Sequence, residues 1–447
     1  MKLIRTFLKG GVFAPDNTRS ARDVATWNAM IPARSVVPLL QHEGSPARCV
    51  VERGYRVDEG ALIGSAQGYQ SARVHAPIPG VVSELTRLTL PDGRESEAVV
   101  IELDGEFQQL GRVVEPRDWR GLNNDRIQEQ IFDAGVVGLG GTGVPSHVKY
   151  SAPRSTALQC LILNGCEPEP YLSNDYRLLR ERPEHVVEAL EILVRLLAPK
   201  RTVIALGGHT RSAASGVRRA VSAARARIQV HRFAGKYPQG DDHVLVRSVT
   251  KRAVRGASPV SEAGSMVVNV ATAIAVYEAV VFGKPVVERV VTVAGGAITR
   301  PGNLKVRIGA SIGDLIEECE GFREPPHKLV VGGPMRGSTV TDLSQPVTKL
   351  TTGVLALTEA EVQAVPETAC IRCGRCVRAC PMGLEPVRLH QLIAQRRDRA
   401  VTEAGLFDCT ECGCCSFICP AGITLAEDLK RAKSRLRAEE SDGRGRS

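Results

Sequence analysis

At 447 residues the chain is longer than one hydrophobic core usually organises, so several domains are expected. With 43% hydrophobic and 24% charged residues its make-up is globular rather than disordered or fibrous, and with only 4% aromatic residues it lacks the stacking platforms that single-stranded nucleic acid needs. No nucleic-acid role is expected; the net charge of +9 would permit the protein to be held at a membrane by charge.

The first ten residues carry basic side chains but neither an apolar h-region nor a small-residue cleavage site, which points to a cytoplasmic protein. From 38 to 103, short Val, Ile and Leu runs broken by glycine form two similar halves, around 54–64 and 76–82, as in a lipoyl-type barrel-sandwich domain. No lysine occurs between Lys9 and Lys149, so an acylated swinging arm is excluded. A docking platform is the expected alternative.

A helix predicted over 125–134 precedes Gly138-Leu-Gly140-Gly141-Thr-Gly143-Val144, where four glycines in six residues let a backbone close around a phosphate or a flat ring. Lys149 offers a cation nearby; a purely structural turn is the other reading. The predicted strand 158–163 runs into Asn164-Gly-Cys-Glu167-Pro-Glu169-Pro-Tyr171. Ligands of open α/β sheets bind at the carboxyl ends of strands, so this acidic turn and the glycine loop are expected to meet there, with the carboxylates suited to ribose hydroxyls. A plain surface turn remains the alternative. The most apolar stretch, 263–283, is interrupted by Asn269, Thr272 and Glu278 and reads as a buried helix rather than a membrane span. From 286 to 350, strands over 288–293 and 304–308 surround a short helix over 312–319.

Four of the thirteen cysteines are scattered (Cys49, Cys160, Cys166, Cys319) and nine crowd between Cys370 and Cys419. Such crowding, without a leader peptide, does not describe a disulfide scaffold. Cys370, Cys373, Cys376 and Cys380-Pro follow the spacing C-x2-C-x2-C-x3-C-P, and Cys409, Cys412, Cys415 and Cys419-Pro repeat it. In such runs three close thiolates hold one 4Fe–4S cluster and the fourth turns to the other. One cluster is therefore expected on Cys370, Cys373, Cys376 and Cys419, the other on Cys409, Cys412, Cys415 and Cys380. Paired zinc sites are the alternative, but they do not use three cysteines in x2 steps plus a fourth before proline, twice over. Cys414 receives no ligand role. Helices are predicted over 385–397 and 425–436, one after each motif. The basic run Lys430, Arg431, Lys433, Arg435 and Arg437 reads as a solvated helix end entering a disordered terminus, or as a contact with an anionic surface.

These motifs, with Tyr237-Pro-Gln-Gly240-Asp241-Asp242, Val268-Asn269-Val-Ala-Thr272 and Gly332-Gly333-Pro334-Met335, occur in an order that resembles the C component of the Rnf ion-translocating electron-transport complex over nearly the whole chain. The central part is similar to the flavin-binding subunit of respiratory complex I. The resemblance implies a multidomain α/β and β fold: a lipoyl-like, non-acylated barrel-sandwich domain (1–115), a Rossmann-like α/β domain for FMN and NAD (116–284), a β-grasp domain (285–358), a bacterial-type two-cluster ferredoxin domain (359–435) and a basic disordered tail (436–447). It implies FMN held by Gly138, Gly140, Gly141, Lys149, Asn164, Glu167, Asn269 and Thr272, and NAD(H) as substrate near Gly143 and Glu169, with Glu169 positioning the nicotinamide and Asp241 and Asp242 as paired acids. Val144 stands where the complex I relative has Phe, which removes a stacking surface for the nucleotide. The resemblance further implies other membrane subunits and a ferredoxin-like electron-transfer subunit as partners, at the cytoplasmic face of the inner membrane. A soluble flavin/iron–sulfur reductase, such as a cobalamin reductase, and a cluster-bearing scaffold without nucleotide chemistry are the rival readings.

Overall fold

The computed structural model describes residues 6–7, 9–107, 114–151, 157–167, 169–362 and 365–444, excepting the side chains of His209, Arg211 and 440–444. Met1 to Arg5, Pro168 of the acidic turn and the last three residues of the expected tail lie outside them.

Eight strands come first: β1 (Trp27–Asn28), β2 (Arg34–Pro38), β3 (Arg48–Cys49), β4 (Arg56–Val57), β5 (Leu62–Ser65), β6 (Val74–His75), β7 (Gly80–Thr89) and β8 (Glu95–Leu103). They pair as β2-β8-β7-β4 and β3-β5-β6, two sheets with Leu39, Ile63, Ile78, Val82 and Ile101 fully buried in the core. Each such side chain contributes roughly 2 kcal/mol by leaving water. This is the barrel sandwich. Its two sheets are built from Arg34 onward, and the segment before them, within the expected 1–115 unit, reaches to the other domains. Val12 bridges to Tyr237 and β1 pairs elsewhere, because a two-residue strand finds its partner through tertiary packing.

Helix α1 (Asn124–Asp133), capped by the Asn123 side chain on Arg126 N at 2.9 Å, leads into the glycine loop. A four-stranded sheet follows, ordered β11-β10-β9-β12, with all strands parallel: β9 (Cys160–Gly165), β10 (Thr202–Leu206), β11 (Ile228–Arg232) and β12 (Ser265–Asn269). Helices α2 (Asn174–Glu181), α3 (Pro183–Leu197), α4 (Asp242–Thr250) and α5 (Val270–Phe282) surround it. The apolar stretch 263–283 is thus not one helix. Its first half is the edge strand β12, and Asn269 turns the chain into α5, which is buried nearly throughout.

The third domain is a six-stranded mixed sheet, β1-β14-β13-β17-β15-β16, from β13 (Glu288–Ala294), β14 (Gly302–Arg307), β15 (Lys328–Val331), β16 (Ser338–Val340), β17 (Gly353–Leu357) and the borrowed β1. Helix α6 (Ile312–Glu318) packs on it, started by a Ser311–Asp314 capping box.

In the last domain the short helices α7 (Arg375–Ala379) and α9 (Cys414–Phe417) follow equivalent cysteine loops, and α8 (Pro386–Ala394) packs against α10 (Leu425–Arg444) through Leu389, Leu429 and Leu436. The two loops match in backbone: Arg372 and Glu411 both have φ +55°, and Gly374 and Gly413 cap α7 and α9 with φ +69° and +77°. Helix α10 continues to Arg444, past the expected boundary at 436. Its basic run is not all solvated either: Lys433 is 6% exposed, and Arg435 pairs with Asp398 and Glu439. Among the described residues no helix is long and apolar enough to cross a membrane.

Candidate functional site

The parallel sheet sets the site. Asn164 and Asn269 sit near the carboxyl ends of adjacent strands β9 and β12 and are register partners, so the acidic turn and the start of α5 emerge side by side. Asn269 caps α5, its Oδ1 accepting from Ala271 N at 2.9 Å and Thr272 N at 3.4 Å, while its Nδ2 donates to Asp175. Thr272 Oγ1 accepts from Leu139 N at 2.9 Å. Gly140 lies against Asn269 so closely that a Cβ there would come within 2.9 Å of the amide carbon; only glycine lets the loop reach this position.

Two buried cations hold the loop from the other side. Arg289 of β13 donates to Leu139 O at 3.1 Å, and Lys349 donates to Gly135 O at 2.7 Å and Arg73 O at 2.8 Å. Lys349 is 1% exposed, and burial lowers its pKa to about 7. The barrel sandwich adds Glu43 N, donating to Gly143 O at 2.9 Å. Three domains therefore meet on one loop.

The acids are equally constrained. Glu167, with φ +39°, accepts from Asp175 N at 2.8 Å and Tyr176 N at 2.9 Å, closing the start of α2. Burial, then the neighbouring Asp175, pushes its pKa well up. Burial likewise raises Asp175 to about 6, opposed by the Asn269 hydrogen bond. Glu169 accepts from Met335 N at 3.0 Å and from the Tyr237 hydroxyl at 3.2 Å; burial raises its pKa against the pull of Arg336. Asp241 caps α4 and accepts from Arg336 Nη2 at 2.7 Å, and burial raises Asp242. Asn164 Nδ2 donates to Gly240 O at 2.7 Å.

Gly138, Gly140, Lys149, Asn164, Glu167, Glu169, Asp241, Asp242, Asn269 and Thr272 line one cavity of about 510 Å³. Gly141 and Gly143 do not. Gly141 points into open space and Gly143 is buried against Glu43 and Leu350, while Thr142 between them returns to the cavity wall. Asp175 Oδ1 and Thr410 Oγ1 are buried at the wall without a partner among the described residues, as the site of a polar ligand would leave them. The size, the glycine cradle and Lys149 fit a flavin nucleotide.

Cys409, Thr410, Glu411 and Lys433 of the last domain line this same cavity. Behind them a second cavity, of about 20 Å³, is bordered by Cys380, Cys409, Cys412, Cys414 and Cys415, and a third, of about 260 Å³, by Cys370, Cys373, Cys376 and Cys419. The fourth cysteine of each motif thus stands with the other motif's three. Backbone amides point at the sulfurs, Arg372 N to Cys370 Sγ and Glu411 N to Cys409 Sγ, each at 3.4 Å. Among the described residues no three Cys, His, Asp or Glu side chains converge as ligands of a single ion do; the cysteines surround cavities instead. An all-thiol donor set around the larger of these spaces suits a cubane cluster, and the matching backbone of the two loops extends that reading to the second. Cys414, fully buried beside Val12 and Tyr237, also borders the second cavity but stands outside the repeated spacing.

Four family descriptions match: an RnfC barrel sandwich hybrid domain over 6–106, the Nuo51 FMN-binding domain over 131–278, an SLBB domain over 290–339 and a 4Fe–4S dicluster domain over 364–420. The chain is 36% identical to the C component of the ion-translocating oxidoreductase complex of Rhodobacter capsulatus, covering 97% of this chain and 84% of that one. It is 35% identical to the C component of the proton-translocating ferredoxin:NAD(+) oxidoreductase complex of Clostridium ljungdahlii (87% and 84% covered). The Na(+)-translocating counterpart of Acetobacterium woodii is 33% identical (97% and 98% covered). The chain belongs to the RnfC family of ion-translocating oxidoreductase (Rnf) complexes. In fold it also resembles a chain of an NAD+-reducing [NiFe]-hydrogenase in the air-oxidised state, with TM-score 0.50 and 20% identity, covering 70% of this chain and 62% of that one.

Several residues of the Rnf-type site escape sequence reasoning. Asp175, Arg289 and Lys349 lie outside any motif and reach the site only through packing. Arg336 directly follows the Gly332–Met335 motif, and Tyr237 opens a quoted one, so adjacency was the available signal. Tyr237 joins the sites: its hydroxyl, near Glu169, also donates to Cys412 O at 2.6 Å.

Proposed function

We propose that this chain is the peripheral electron-transfer subunit of a membrane-bound ferredoxin:NAD oxidoreductase, exchanging electrons between NAD(H) and partner subunits at the cytoplasmic face of the inner membrane. Family membership supports this over a free reductase or a scaffold. The single observation that carries the relay is that Cys409, Thr410 and Glu411 line the nucleotide cavity while none of Cys370, Cys373, Cys376 and Cys419 does. The cluster nearer the flavin is then that of Cys409, Cys412, Cys415 and Cys380.

Bound FMN would exchange two electrons with a nicotinamide and one at a time with 4Fe–4S clusters. The side chains bind and orient. Gly138 and Gly140 admit the cofactor to the backbone, Lys149 is the cation for its phosphate, and Asn164, Glu167, Asn269 and Thr272 fix the walls. Glu169, held by Met335 N and Tyr237, positions the nicotinamide, and Asp241 and Asp242 border the nucleotide. Ion movement belongs to partner subunits, a ferredoxin-like electron carrier among them.

Reconstituted protein should contain FMN that NADH bleaches anaerobically, and Glu169→Gln should weaken the NADH response while leaving FMN content unchanged. A protein that holds FMN but shows no affinity for NADH would leave only the scaffold reading.

A further inference from the structure

We propose that the face around Cys370, Cys373 and Cys376 docks an acidic electron-transfer protein, an inference that rests on the cluster reading above. The two cysteine loops have nearly the same backbone, so differences between them report surroundings rather than folding. Arg372, Arg375 and Arg378 stand at the positions that carry Glu411, Cys414 and Phe417 in the second loop.

The second loop is enclosed. Cys412, Cys414 and Cys415 are buried, Lys433 Nζ donates to Cys409 O at 2.6 Å, and Gly413 lies so close to the β-grasp domain that a Cβ there would approach Met335 O to 2.6 Å. The first loop faces outward. Residues 365–373 are exposed without a break, Cys370 and Cys373 among them, and Ile371 and Val365 are 67% and 52% exposed. No acid lies between Glu367 and Glu385, and among the described residues none of the three arginines has an acidic partner. Arg378 instead donates to Cys373 O at 3.3 Å, and Arg372 lines the mouth of the cysteine cavity.

Exposed apolar side chains beside guanidinium groups that have no acidic partner among the described residues have the anatomy of a binding face, and guanidinium forks match carboxylates. Such a field steers an acidic partner to the point where an electron has the shortest path. The step is the transfer of one electron: the cluster on this face is oxidised and the partner's one-electron centre reduced, or the reverse, with no bond made or broken and no proton moved. An anionic membrane would meet the same charges, but would not account for their grouping around two exposed cluster cysteines.

The probe is a purified acidic 2[4Fe–4S] ferredoxin, its binding to the cluster-loaded full chain measured by surface plasmon resonance at several salt concentrations. At low salt the triple variant R372E/R375E/R378E should bind about tenfold or more weakly, and the gap should close near 0.5 M salt, where screening is nearly complete. The neutral variant R372Q/R375Q/R378Q should fall between, which keeps the test readable if charge reversal disturbs the loop. A control reversal on other faces, R87E/R399E/R431E, should bind within about twofold of the unaltered chain. Iron content and electron paramagnetic resonance establish that each variant holds both clusters. Equal binding by the first triple variant, or equal loss in the control, overturns the proposal. So does binding to phosphatidylglycerol vesicles through these arginines with no affinity for the ferredoxin. Failure of the unaltered chain to hold clusters would instead bring down the electron-transfer reading beneath it.

Discussion

Asn269 performs two jobs that substitution can separate. As cap of α5 it is worth about 1 kcal/mol, and as donor to the buried Asp175 carboxylate roughly 1.5–3 kcal/mol. Asn269→Ala loses both. Asn269→Asp keeps the cap, because Asp and Asn cap equally well, but removes the donor and sets a second carboxylate against Asp175. Because Thr272 and Gly140 hang on the same residue, much of that loss should appear in cofactor affinity, where about 1.4 kcal/mol is tenfold. FMN titrated into deflavinated protein and followed by fluorescence quenching should bind about 10- to 100-fold more weakly to both variants. Only the Ala variant should also lose the stability of the cap. If Asn269→Asp bound FMN within about twofold of the unaltered chain, the Asp175 contact would play no part in shaping the site.

Other expectations follow from the same structure. Asp175, raised from 3.8 to about 6 by burial, costs the folded state roughly 3 kcal/mol above pH 6; this cost fades as pH falls from 6 toward 3.8, where the native state holds its proton and the unfolded chain does not. Asp175→Asn should therefore raise the thermal midpoint at pH 7 and give no gain near pH 4, and destabilisation at pH 7 would contradict the assignment. The pair Arg307–Glu59 joins β-grasp to barrel sandwich at 2.5 Å, with side chains 7% and 3% exposed. Arg307→Met should cost about 3–5 kcal/mol and the double Met variant far less, in denaturation followed by the fluorescence of Trp27 and Trp119 together; additive losses would deny the coupling. Lys433→Met removes a buried cation from Cys409 O and should lower the midpoint potential of the cluster beside it in an electron paramagnetic resonance titration, whereas an unchanged potential would mean Lys433 only packs.

How much of this could be read from the sequence differs by element. Cysteine spacing says which cysteines share a cavity, because the constraint is local and repeated. The glycine loop, the acidic turn and Asn269 come together because parallel strands place their ends at one edge, a rule of topology that needs no coordinates. Arg289 and Lys349 are invisible in the same way that β1 is. Nothing periodic marks a lone buried cation or a two-residue strand, and each finds its place only when three domains pack. The direction of Gly143 is hidden for a related reason: four glycines reveal that a loop is permissive, not where it turns. Lys433 reads as part of a solvated tail because its neighbours are charged, yet helical spacing brings it inward beneath Cys409.

The relay is tested most directly by Cys380→Ser. Cys380 borders the cavity of Cys409, Cys412 and Cys415, not that of its own motif. The variant should lose or alter the cluster beside the nucleotide cavity, as seen by electron paramagnetic resonance, keep the one on Cys370, Cys373, Cys376 and Cys419, and fail to pass electrons from NADH to it. Damage confined to the cluster of Cys370, Cys373 and Cys376 would contradict both the crossing and the order of the relay.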